Sequence, residues 1–312
     1  MFSKLFSIFF LSFSTFLFAQ SQTDRTIYLD SSYNRTTSQE YVYAQITRDY
    51  YSLKDDYTIE EFYKSGQLKK TGVSRGKDKY NYNGYVVSYY ENGTMEEKVF
   101  YKDGIPFENY YSWYENGEKK EQGQYVADPF SKNGNRILKI NEYWDSDGIQ
   151  KVVDGNGNYK ITNGKSHLSG ELKKGFKEGI WTGVNHEPQI TYTESYNNGQ
   201  LISGVSIDKN LVKYNYTEIM KRPMPKKGIE HFYKFVGRKF ILPKNHQYGG
   251  KIILTFIVDK TGVIDDIKIY RGVNQELNEE AIRVLENYGK WETGKFRGID
   301  VNVKHSLPIV IE

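Results

Sequence analysis

In this chain of 312 residues, the side chains that could ligate metals, attack carbonyls or exchange protons form no constellation with the spacing such chemistry needs. Cysteine is absent, which excludes disulfides, thiolate metal sites and cysteine nucleophiles together. The histidines, His167, His186, His231, His246 and His305, share no spacing that would bring two onto one ion, so no metal site is expected. Asn163-Gly164-Lys165-Ser166 looks like the end of a phosphate-binding loop, but Tyr159 stands where the first glycine is required. Asp154-Gly155-Asn156-Gly157-Asn158 opens like a calcium loop. Tyr159 then takes the sixth position and Lys165 the twelfth, so the sharp turn and the bidentate carboxylate are both missing. Asp265 and Asp266 are neighbours on an expected strand, point to opposite faces and cannot flank one bond. No Gly-x-Ser-x-Gly elbow occurs. Neither an enzyme nor a cofactor is expected.

What remains is a backbone that can bind. With 43 basic against 39 acidic residues the net charge is +4, too even for a nucleic-acid partner, whose binding rests on clustered cations. The 28 tyrosines and 17 phenylalanines, with 28 glycines and only 7 prolines, favour short strands joined by tight turns. The first segment sets the compartment. Met1 to Lys4 is basic, Leu5 to Phe18 is apolar or hydroxylic throughout, and polar residues follow Ala19. As a helix the apolar run covers roughly 21 Å, short of the roughly 30 Å hydrocarbon core, so residues 1–19 read as a secretory signal and the mature chain as starting near Gln20. The expected location is periplasmic or secreted. The alternative is an uncleaved anchor that holds the chain at the inner membrane, facing the periplasm.

Past an N-terminal segment at 20–57, a phrase recurs: aromatic, polar pair, glycine, charged run. It appears as Phe62-Tyr63-Lys64-Ser65-Gly66, Tyr89-Tyr90-Glu91-Asn92-Gly93 and Trp113-Tyr114-Glu115-Asn116-Gly117, with weaker copies at Tyr143 to Gly148 and Ser195 to Gly199. Each copy reads as a two-residue hairpin turn with strands on either side, the glycine supplying a positive φ. A lone hairpin is marginal in water, so successive hairpins must pair into a sheet over residues 58–213. These phrases, with Gly175-Phe176-Lys177-Glu178-Gly179-Ile180-Trp181-Thr182-Gly183, resemble MORN-type repeats of bacterial secreted proteins, which implies a structural or binding platform. The tyrosines suit stacking on cell-wall glycan as well as strand packing.

A basic, proline-punctuated linker spans 214–227, and the composition changes after it. Glu230 to Phe240 reads as a helix. Lys251 to Asp259 and Val263 to Tyr270 read as a hairpin turning at Lys260-Thr261-Gly262, and Asn278 as the N-cap of a second helix ended by Gly289. Ile299 to Ile311 is a final strand. Three strands under two helices leave one strand with unpaired N–H and C=O groups, a template for a visiting strand. The expected edge is Asp300, Val301, Asn302, Val303, Lys304, His305 and Ser306. Lys295 and Arg297, with Lys304 and His305, either favour an acidic peptide or protect the edge from aggregation.

Phe256-Ile257-Val258-Asp259, Gly262, Leu277-Asn278-Glu279-Glu280-Ala281, Trp291 and Gly298 to Pro308 follow in an order that resembles the TonB C-terminal domain, over residues 228–312. The resemblance implies a periplasmic module that pairs with an extended segment of an outer-membrane TonB-dependent transporter or another periplasmic protein. Thr293 stands where proline is usual after Trp291, and the long proline-rich linker of that family is missing, which puts direct energy transduction in question. The expected fold is mostly β: repeated hairpins, then an α+β domain of two helices and a three-stranded antiparallel sheet. A scaffolding protein that uses its hairpins as a platform is the alternative function.

Overall fold

The computed structural model describes residues 23–130, 134–164, 166–243 and 249–311. The expected signal at 1–19, His246 and Lys165 lie outside them. The chain forms two compact units: the described residues up to Tyr159 with Leu172–Phe176, and Lys160–Glu171 with Lys177–Glu312.

Strands in the hairpin region pair antiparallel with their neighbours in chain order, the pattern that short turns enforce. Pairing begins at Arg25–Leu29 with Tyr43–Thr47, so the N-terminal segment is already sheet. The turns differ from expectation in one respect. Gly66 N–H donates to Tyr63 O and Tyr63 N–H to Gln67 O, both at 2.9 Å, which makes a three-residue loop with glycine in the left-handed position. Gly93 on Tyr90, Gly117 on Tyr114 and Gly148 on Asp145 repeat it, with φ between 74° and 86°. A type I turn followed by a left-handed residue needs one positive φ rather than two, which explains one glycine per phrase.

The repeated tyrosine has its own task. Tyr63 Oη donates to Tyr89 O at 2.8 Å, Tyr90 Oη to Trp113 O at 2.9 Å and Tyr114 Oη to Trp144 O at 2.8 Å. Each hairpin is thereby tied to the backbone just before the next turn. Phenylalanine would fill the same space without this tie.

In the second unit, Gln189–Asn197, Gln200–Asp208 and Lys213–Tyr216 keep the antiparallel pattern. The expected linker is not a free tether: Met220–Lys221 pairs with Gly294–Phe296, and Met224–Pro225 pairs with Trp291–Glu292. Helix α1, Ile229–Lys239, and helix α2, Gln275–Glu286, bury Phe232, Leu277, Ala281 and Leu285 against Ile252, Leu254, Phe256 and Leu307. The N-cap of α2 is Asn274, whose side chain accepts from Leu277 N–H at 2.9 Å. Asn278 instead accepts from Val273 N–H at 3.1 Å, so the helix starts one turn earlier than expected. The sheet order is Ile264–Arg271, Gly250–Val258, Val303–Ile311, which places Gly250–Val258 in the centre.

Two substitutions test the turn chemistry. Tyr90→Phe should lower stability by about 1 kcal/mol through the lost hydrogen bond, read as a lower urea midpoint with an unchanged slope. Leu211 occupies the left-handed position of the turn after Asp208, with φ 63° and 81% exposure. A branched side chain there costs about 1–2 kcal/mol, so Leu211→Gly should stabilise the protein by roughly 0.5–1 kcal/mol once the entropy of glycine is subtracted, visible as a higher midpoint.

Candidate peptide-binding edge

The last stretch of chain is two strands, Ile299–Val301 and Val303–Ile311, with Asn302 between them. The first is set by a two-residue turn: Phe296 pairs with Ile299 across Arg297 and Gly298, whose φ values are 48° and 83°. Positive φ at both central residues is the hairpin turn that matches strand twist, and it closes on a hydrogen-bonded pair. Ile299 and Val301 therefore bond toward Gly294–Phe296, and the N–H and C=O of Asp300 face away.

The second strand runs opposite Gly250–Val258 without a register break, Val303 against Val258 through Ile311 against Gly250. Pro308, opposite Ile253, has no N–H to give, and its carbonyl accepts from Tyr233 Oη of α1 at 3.3 Å. Pro308 is thus an outward-facing position, as prolines in sheets are. By alternation Lys304, Ser306 and Val310 also turn their backbone groups away from the central strand. Within Val303–Ile311 the even-numbered residues face outward. Among the described residues, no backbone partner bonds to Lys304 or Ser306 on that side.

The expected site residues occupy different environments. Asp300 pairs with Lys295 at 2.7 Å and accepts from Thr293 Oγ1. Asn302 Oδ1 accepts from Lys260 N–H at 3.0 Å. Val301 and Val303 use their backbones within their own sheets. The half-buried His305 ring lies 5.5 Å from both Phe256 and Trp291, and burial, with the Arg222 charge, lowers its pKa. A neutral imidazole adds no positive charge to this edge at pH 7. Lys304 and Ser306 are exposed.

Arg297, expected as a contact for an acidic peptide, faces inward instead. Its Nε donates to Glu194 Oε1 at 2.8 Å, its guanidinium lies 3.7 Å from the Tyr192 ring centre, and only 9% of the residue is exposed. Glu194, fully buried, also accepts from Tyr216 Oη and Tyr196 Oη, each at 2.8 Å. The Arg297 backbone is held as well, its N–H on Ile219 O at 2.7 Å and its carbonyl accepting from Ser206 Oγ at 2.6 Å. Sequence reasoning missed Glu194. The signal was present: Ile190, Tyr192, Glu194 and Tyr196 share one strand face, and a carboxylate inside an aromatic stripe demands a buried partner.

The domain is a three-stranded antiparallel sheet packed on two helices, with Ile264–Arg271 and Val303–Ile311 as its outer strands. The family model described as the Gram-negative bacterial TonB protein C-terminal matches residues 244–310. That family is transport-associated and non-enzymatic, and it is placed at the periplasm and inner membrane of Gram-negative bacteria. No curated protein matches the chain. Among the described residues no helix is long and apolar enough to cross a membrane.

The ion pair carries a pH signature. Burial alone would push the Glu194 carboxyl up, but the Arg297 guanidinium and the two tyrosine hydroxyls outweigh it and hold the pKa below the ordinary 4.5. A folded value below the unfolded one gives stability that is present above pH 4.5 and lost as pH falls through the folded value. Arg297→Met should cost about 3–5 kcal/mol at pH 7, because it strands a buried charge. It should also invert the trend. An unpaired Glu194 has a raised pKa, so the variant regains stability as pH falls from 7 toward 4, measured by urea midpoints across that range.

Proposed function

We propose that the C-terminal domain captures an extended segment of an outer-membrane transporter by strand addition along Asp300–Ser306, as part of energy-coupled transport. The observation that carries this reading is the outward run of backbone groups at Asp300, Lys304 and Ser306, closed at one end by Pro308 and Tyr233. Main-chain hydrogen bonds supply affinity in such complexes, and side chains on alternate positions supply selectivity. The match to the TonB C-terminal family supports a transporter as the partner. With the signal at residues 1–19, the chain works in the periplasm.

A scaffolding role is the second reading, and one observation favours it. Glu194 and Arg297 bind the last hairpins and the C-terminal domain into a single compact unit, so a partner held at the edge is held at a fixed place on the hairpins of that unit.

Proline scanning along the edge tests strand addition. Ser306→Pro removes a donor that the domain does not use itself and should abolish crosslinking, in cells, between a photoreactive residue at Lys304 and an outer-membrane transporter. Val303→Pro should instead destabilise the domain, because the Val303 N–H bonds to the central strand. Crosslinking that persists undiminished in Ser306→Pro would reject the edge.

A further inference from the structure

Among the described residues, each buried carboxylate has a cation in reach, with one exception. Asp24 lies 2.8 Å from Arg48, Glu61 lies 3.0 Å from Lys69 and Glu194 lies 2.8 Å from Arg297. Glu121 is as deeply buried, at 4% exposure. Tyr159 Oη donates to its Oε1 at 2.7 Å, yet among the described residues no basic group lies within ion-pair distance of it. Its surroundings add negative charge. Strands Met95–Lys102, Ile105–Trp113 and Lys119–Ala127 set Glu97, Ser112 and Glu121 directly opposite one another, so the three side chains share one face at steps of about 5 Å. Two glutamates are long enough to meet above the short serine between them.

Glu97 is half-buried. Burial, with the charges of Glu96 and Glu121, pushes its carboxyl up against the pull of Lys70. That lysine stands two strands away, opposite Ser88, with its ammonium 5.3 Å from the Tyr82 ring centre. The Tyr110 hydroxyl is raised by burial and by the charges of both acids, which places it beside them. Ser112 completes the group: it is 6% exposed, and its Oγ has no hydrogen-bond partner among the described residues. A buried polar atom left in that state calls for an ion or a water that the protein itself does not supply.

We propose that Glu97, Ser112 and Glu121 bind a calcium ion. The two carboxylates balance its charge, and the serine oxygen gains the partner that the sheet withholds. Every donor is an oxygen, which selects a hard cation. Calcium suits the set better than magnesium, because it accepts bidentate carboxylates and irregular geometry, whereas magnesium demands a near-ideal octahedron and gives up water reluctantly. No three Asp, Glu or His gather as a metal cluster among the described residues, so water completes the shell and the Kd belongs with weak sites, at about 0.1–1 mM. The site belongs to the hairpin strands alone and gives them a ligand of their own.

The test is urea unfolding of the full chain with and without calcium at about 10 mM, at neutral pH and constant ionic strength. An ion that binds only the folded state with Kd about 1 mM raises the folded-to-unfolded ratio about tenfold at that concentration. Amide NMR during a calcium titration should shift Glu97, Ser112 and Glu121 together and saturate. Ser112→Ala removes an unpartnered hydroxyl, so it should match the unaltered chain without calcium and hold the gain to about twofold. Glu97→Gln removes one of two like charges, so it should exceed the unaltered chain without calcium and gain nothing from the ion. A full gain in either variant would put the ion elsewhere and overturn the site. An equal gain from magnesium would overturn the choice of calcium. A chain indifferent to calcium, but stabilised as pH falls from about 7 to about 5, would show that a proton neutralises these acids instead, and the proposal would fail.

Discussion

A carboxylate buried on an aromatic strand face must meet a cation, and in this protein the cation comes from a turn 103 residues away. Meeting Glu194 fixes Arg297, and Arg297 is half of the two-residue turn that starts the last strand. Once that turn is fixed, its closing pair decides which backbone groups of Ile299–Val301 look inward. The ion pair thus fixes the direction of the Asp300 backbone groups, while those of Lys304 and Ser306 follow from the register against Gly250–Val258. A shift by a single residue would exchange the bonded groups for the free ones and turn every side chain to the opposite face.

The hairpin strands reach order by a different route. Their buried positions mix aliphatic residues such as Ile59, Val86 and Ile140 with tyrosines such as Tyr57, Tyr110 and Tyr143. A tyrosine gives such a sheet both area and a hydroxyl that must be satisfied, and the hydroxyl fixes distance in a way that a purely apolar ring does not. Buried acids are treated alike: Glu61 accepts from Tyr33 and pairs with Lys69, and Glu121 accepts from Tyr159. The aromatic wealth of the chain thus serves hydrogen bonding as much as hydrophobic mass.

Local features were legible in the sequence and distant ones were not. The glycine phrases placed the turns, because positive φ at a defined offset is a strictly local demand, although the loops hold three residues where two were expected. The α2 cap moved from Asn278 to Asn274 because both are asparagines one turn apart and sequence alone does not rank them. The order of the C-terminal elements was readable from the hydrophobic pattern. The destination of Arg297 was not, since a surface loop arginine and a buried one look the same until the partner strand is known. The outer position of Val303–Ile311 followed from strand count, whereas the outward parity of Lys304 and Ser306 needed the register against Gly250–Val258, with Pro308 opposite Ile253.

Pro308 has a consequence of its own. A vacant strand border can recruit copies of its own molecule without limit, because each added chain presents a fresh border. Here the row of acceptors and donors stops where a ring replaces the N–H and the Tyr233 hydroxyl covers the carbonyl. A strand laid along this border would find no donor and a covered acceptor at Pro308, which breaks the row of groups that continued recruitment would need.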